Sequence, residues 1–137
     1  MCLQVLVIGG QTSDGQPSAS IEVFNPATGA FSPGAPSNLF SPRYLHTATL
    51  LASGQVLVVG GVTTGGVATG TCELYDVGTG QVTATAPLNI WRREHSATLL
   101  STGQVRCQLE HVSRASAAML PCGLPVHSYC AGVSLLA

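Results

Sequence analysis

Three residue types recur in phase along this chain, and they are types that can do chemistry. Arg43 and His46 return as Arg92 and His95, each 49 residues on. Glu22 returns as Glu73, 51 residues on. Histidine and carboxylate are the usual materials of acid–base catalysis and of metal binding. A catalytic centre, however, is one convergence of groups, whereas these are dealt out one set per repeat. One histidine per unit is also too sparse for zinc, which takes three or four ligands. The matched residues are therefore expected to serve packing and hydrogen bonding within each unit. Glu22 and Glu73 are expected to face solvent or to be hydrogen-bonded, not to catalyse.

Other candidates lie outside the repeat. His111, Cys122, His127 and Cys130 are zinc-compatible in type. Their spacing fits no zinc-finger pattern, so an incidental grouping is expected. Cys2, Cys72, Cys107, Cys122 and Cys130 form no CxxC motif, and an odd number cannot pair completely within one chain. They read as mostly reduced thiols, which favours an intracellular chain. No Gly-x-Ser-x-Gly, phosphate-binding loop or paired carboxylate occurs, and the chain has six acidic residues in all. Trp91, just before Arg92, can anchor a partner, but is expected to tuck against the neighbouring unit. No catalytic, cofactor-binding or metal-binding residue is assigned, no cofactor is expected, and the reading is of a non-enzyme.

Bulk properties narrow the classes. Of 137 residues, 45% are hydrophobic and 8% charged, enough apolar material for a core and too little charge for a disordered chain. The formal net charge of −1 leaves no basic footprint for nucleic acid or an anionic membrane. No apolar run reaches the length of a membrane span, and MCLQVLVIGG reads as an immediate strand, not a signal peptide. Cytoplasmic residence is favoured.

The elements that must position these residues repeat with a period of about 50 residues. QVLVIGG (4–10) returns as QVLVVGG (55–61), and IEVFNPATG (21–29) as CELYDVGTG (72–80). RYLHTATLLASGQV (43–56) returns as RREHSATLLSTGQV (92–105). Each unit reads as four short strands. The QVLV run is continuously apolar, which predicts burial on both faces. Its Gly-Gly exit marks a tight turn or a close backbone approach. A polar loop, the alternating strand IEVF or CELY, a Thr-Gly turn and a return strand follow. HTATLL or HSATLL then turns through Ser-Gly or Thr-Gly into the next QVLV.

The double glycines, the aromatic at Phe24 and Tyr75, the Thr-Gly after it and the Arg-x-x-His-(Thr/Ser)-Ala-Thr-Leu-Leu block resemble the kelch repeat. That repeat builds the β-propellers of kelch proteins and of the galactose oxidase central domain. The resemblance covers residues 4–105 and departs where Val82 replaces the aromatic that Phe31 supplies. It implies an all-β fold of about two four-stranded antiparallel blades, units 4–54 and 55–105, forming an incomplete propeller. Residues 106–137 lack the pattern. They are expected to be an irregular, non-native or disordered tail with a short helix near 113–120 capped by Ser113 and ended by Pro121.

Two blades do not close a ring, so the chain is expected to be a fragment of a larger propeller. Open blade edges predict self-association. Functionally, the resemblance implies a non-catalytic module for protein–protein interaction, working through loops 11–20, 33–42, 62–71 and 84–92. The other reading is the scaffold portion of a galactose-oxidase-like copper carbohydrate oxidase. That chemistry would need tyrosine and histidine ligands, and no local motif around Tyr44, Tyr75 or Tyr129 supplies them.

Overall fold

The computed structural model describes residues 4–33 and 38–109, together with the backbone of 128–129. Among these residues the fold is all-β. The first sheet is β1 (Val5–Ile8), β2 (Ile21–Asn25) and β3 (Ala30–Pro33), in that order. The central sheet is β4 (Thr47–Leu50), β5 (Gln55–Val59), β6 (Cys72–Asp76) and β7 (Val82–Thr85). The third holds β8 (His95–Leu99), β9 (Val105–Leu109) and the short β10 (Ser128–Tyr129), with β9 in the middle. Every pairing is antiparallel. The expected helix at 113–120 and the cysteine–histidine group of the tail lie outside the described residues.

Turn chemistry fixes these hairpins. Ser53-Gly54 lets Gly54 N donate to Leu51 O at 3.0 Å, and Thr102-Gly103 repeats it between Gly103 N and Leu100 O at 2.9 Å. These turns join β4 to β5 and β8 to β9. The last strand of each sequence unit thus opens the next sheet. At the other hairpin, Asn25 Oδ1 accepts from Ala27 N at 2.9 Å, and Asp76 Oδ1 accepts from Gly78 N at 3.0 Å and Thr79 N at 2.9 Å. Both are short polar side chains capping their own turn.

The central sheet is covered on both faces. Val56, Val58, Tyr75 and Val82 pack toward the first sheet with Ile8, Ile21 and Leu39. Leu57, Val59 and Cys72 pack toward the third with Leu51, Leu88, Val105 and Cys107. The continuous apolar run of β5 is explained by this sandwiching, since successive side chains serve opposite cores.

The double glycines sit where one sheet meets the next. Gly9 and Gly60 have φ of +61° and +62°. A Cβ on Gly60 would stand 2.6 Å from Arg92 O, and one on Gly9 2.8 Å from Arg43 O. The next glycines use that approach: Gly10 N donates to Arg43 O at 2.8 Å and Gly61 N to Arg92 O at 2.9 Å. The backbones of adjacent sheets are pinned there, and only glycine leaves room for it.

Candidate functional site

Arg43 lies in the loop between the first and central sheets and is fully buried. Burying a guanidinium demands a partner for nearly every N–H. Nη1 donates to Gly60 O and Thr71 O, both at 2.9 Å. Nη2 donates to Thr71 Oγ1 at 2.9 Å and pairs with Glu73 Oε1 at 2.5 Å. Nε donates to Ser41 O at 3.2 Å. Glu73, itself 3% exposed, also accepts from Phe40 N at 2.8 Å and Ser41 N at 3.3 Å. A charge pair and two loop amides thus clasp the 39–43 loop onto β6.

The second copy of this arginine is half of the same clasp. Arg92 Nε donates to Ile90 O at 3.4 Å, the counterpart of Arg43 to Ser41, and Nη1 donates to Cys107 O at 3.0 Å. Among the described residues no carboxylate pairs with it. Glu22 is the mirror case. It occupies the position of Glu73, opposite Val7 as Glu73 is opposite Val58, and it is exposed.

The histidines also work between sheets. His95 Nε2 and Thr47 Oγ1 lie 3.0 Å apart, tying β8 to β4. His46 takes the equivalent place on the central sheet; its Nδ1 is buried without a hydrogen-bond partner. Burial first, then the positive charge of Arg43, holds its pKa below the ordinary 6.5. A half-buried imidazole held toward its neutral form in this way is a packing element. Among the described residues no group of three His, Cys, Asp or Glu is placed to hold a metal.

Tyr75 is 3% exposed in the core between the first and central sheets. Phe24, its counterpart, packs against Phe31 with ring centroids 4.9 Å apart and the planes tilted by 45°. Val82 faces Tyr75 in the same register, so the departure from an aromatic fills a covered site with a smaller side chain. Trp91 corrects an expectation. Its ring lies across Gly70, where a Cβ would meet Cδ1 at 2.6 Å, yet the residue is 63% exposed. The neighbouring sheet covers only Leu88 and Arg92 of this loop, leaving the ring on the surface.

The sequence missed the Arg43–Glu73 pairing, which joins residues 30 apart. Its signal was present: an arginine and a glutamate recurring in fixed phase, far more polar than their apolar surroundings. Two residues with left-handed backbone were also missed, Leu45 (φ 54°) and Glu94 (φ 51°). They occupy matched positions, so the repeat carries this strained turn in both copies.

The two glycine-rich loops share their main-chain hydrogen bonds and differ at their tips, where Gly65 has a φ of 93° and its counterpart Asp14 has no positive φ. In the first, Thr12 N donates to Gln16 O and Gly15 N to Thr12 O, both at 2.9 Å. In the second, Thr63 N donates to Val67 O at 3.0 Å and Gly66 N to Thr63 O at 3.1 Å. The first tip presents Asp14 and Gln16, where the Thr12 hydroxyl holds the Asp14 carboxyl below the usual carboxylate range. The second presents Gly65 and Val67, the latter 55% exposed.

Residues 2–38 match the family model described as the Kelch motif. The match covers the first three strands of the first sequence unit, and residues 55–105 are an internal copy of that unit. No curated protein matches the chain. No described helix is long and apolar enough to cross a membrane.

Proposed function

The chain is a kelch-repeat protein, and from that premise we propose that it is a binding or scaffolding module that recognises protein partners through its loop tips. Kelch repeats are mostly non-enzymatic scaffolds, and here the chemically capable residues are committed to the scaffold. Arg43 and Glu73 clasp a loop, and His95 ties two sheets together. The observation that carries the reading is the pair of loops at 11–18 and 62–69. Their main-chain hydrogen bonds are the same, and their tips offer unlike chemistry, Asp14 and Gln16 against Gly65 and Val67. A fixed frame with exchangeable tips is how rigid scaffolds carry recognition.

The test is a tip graft. Thr64→Ser, Val67→Gln and Ala68→Pro give the second tip side chains of the first, with Gly65 kept because its φ of 93° disfavours any side chain. Quantitative affinity enrichment with the immobilised full chain should lose the partners specific to the second tip, while the melting temperature stays within a few degrees. Partner profiles indifferent to the graft would defeat the loop reading. Copper-dependent oxidation of a sugar would replace it with the enzymatic alternative.

A further inference from the structure

Trp91 is the chain's only tryptophan, and it is held at the surface on a seat that fits it. The pyrrole edge of the indole lies on Gly70, where a Cβ would stand 2.6 Å from Cδ1 and 3.2 Å from Nε1. Gly70 has no positive φ, so its backbone does not call for glycine; the ring does. In the first unit these two positions carry Ala19 and Pro42. The loop beneath the ring is fixed on both sides of it by the buried Leu88 and Arg92. Leu88 N donates to Gly70 O at 2.7 Å, Arg92 N to Thr69 O at 3.4 Å, and Arg92 Nη1 to Cys107 O at 3.0 Å.

The exposure belongs to the position. Pro42 crosses the joint between the first and central sheets, where the glycine-rich loops of both units are described, and it too is left partly open. Around Trp91 the same unit exposes Val67 and Ile90, by 55% and 53%. Their counterparts are Gln16 and Ser41, so the second unit is apolar where the first is polar. No charged residue occurs in 62–71 or 84–91. The indole N–H donates to no described residue.

We propose that Trp91 anchors a docking surface for an extended, proline-rich segment of a protein partner. This rests on the loop reading above and names the chemistry of the partner. A polyproline II strand makes no internal hydrogen bonds, so its carbonyls are open to a donor such as the indole N–H, and proline brings no N–H that needs an acceptor. Its rings are apolar and uncharged, which suits a surface with no counter-ion to offer. A basic segment would find no free acid in these loops: Glu94, the nearest in sequence, lies 3.9 Å from the Arg93 guanidinium. Both sides arrive ordered, the segment by the fixed φ of proline and the ring by its seat, which lowers the entropic cost of association.

The experiment uses the full chain and decaproline, with a glycine–serine peptide of equal length as the control. Decaproline should shift the tryptophan emission saturably to shorter wavelength, and the control should not; a single ring reports, so the signal is local to it. With fluorescein-labelled decaproline followed by anisotropy, Trp91→Ala should weaken binding by about tenfold or more and leave the melting temperature within a few degrees. Gly70→Ala keeps the ring but unseats it, and should weaken binding as well. An absent emission shift, or binding indifferent to Trp91→Ala, overturns the proposal. If the tip graft still alters the partner profile in that event, the loop reading stands and this assignment alone falls. An emission shift that grows with protein concentration and needs no peptide also overturns it, and would assign the ring to a second copy.

Discussion

β1 and β5 are built from nearly the same residues and live in different surroundings. Val5 and Val7 are 54% and 45% exposed, while Val56 and Val58, at the same positions, are 5% and 0% exposed. The same split runs across the sheet: Glu22 and Phe31 lie open where Glu73 and Val82 are covered. Nothing in the strand itself accounts for this. A sheet of this kind is finished by its neighbours on either side, so identical sequence carries a stability that depends on stacking. The comparison yields matched substitutions in which the same chemical change is made twice.

The largest contrast should come from the glutamates. Glu73→Ala leaves Arg43 buried without its counter-ion and releases the amides of Phe40 and Ser41. A cost of about 3–5 kcal/mol is expected. Glu22→Ala should change stability by no more than about 0.5 kcal/mol, as exposed surface substitutions do. Urea denaturation of both variants reads the difference directly. Equal effects would mean that Glu22 is already held in a clasp of its own.

The second glycine of each pair sharpens the contrast. Gly10 and Gly61 both have φ in the region that L side chains rarely adopt, 109° and 96°. Alanine at either should cost about 1–2 kcal/mol for the backbone alone. At Gly10 the new Cβ meets nothing within 4 Å; at Gly61 it would stand 2.6 Å from Tyr44 O and 2.8 Å from His46 Cβ. Gly61→Ala should therefore lose about 1–3 kcal/mol more than Gly10→Ala, the usual penalty for overpacking. Thermal unfolding followed by circular dichroism is sufficient to separate them.

A plain cavity comparison comes next. Val58→Ala removes two methyl groups from a fully covered site and should cost about 2 kcal/mol. Val7→Ala, opposite Glu22, should cost under about 0.5 kcal/mol. Urea denaturation of the two variants reads both costs, and equal losses would mean that Val7 is as well covered as Val58.

Much of the architecture is legible in the sequence alone. The strands, the hairpin turns and the role of Gly-Gly follow from apolar runs, turn residues and a repeat that keeps phase. The scaffold role of Arg43 and His95 follows from their recurrence. Local pattern does not reveal how far each unit is covered, because Val7 and Val58 read alike. The apolar run of β1 predicts burial on both faces, and this does not hold, since that burial requires a sheet beyond it. The Arg43–Glu73 clasp is hidden for a related reason: its partners belong to different units, and periodicity describes a unit, not the joint between units. Tryptophan is usually covered, which is why Trp91 is expected to be; at the rim of a joint it covers Gly70 and is itself left open.

The smallest effect concerns protons. His46 stands at the joint with the open sheet, and burial and Arg43 hold its pKa below 6.5 in the folded chain. The unfolded chain has neither influence and takes up its proton near the ordinary value. Between the two pKa values the unfolded state binds more protons, so stability falls as pH is lowered. It is complete above about pH 6.5 and is lost as pH drops through the folded value. Asp14 and Asp76 do not blur the window, since hydrogen bonds from the Thr12 hydroxyl and the Thr79 amide keep them below 3.8. One proton limits the slope to about 1.4 kcal/mol per pH unit, and the ring's partial exposure should keep it well under that. Urea midpoints at pH 7.5 and 5.5 should fall in the parent chain and converge in His46→Asn. Were the slope unchanged in His46→Asn, the proton would belong to another histidine, and His46 would be no more enclosed than the open sheet beside it.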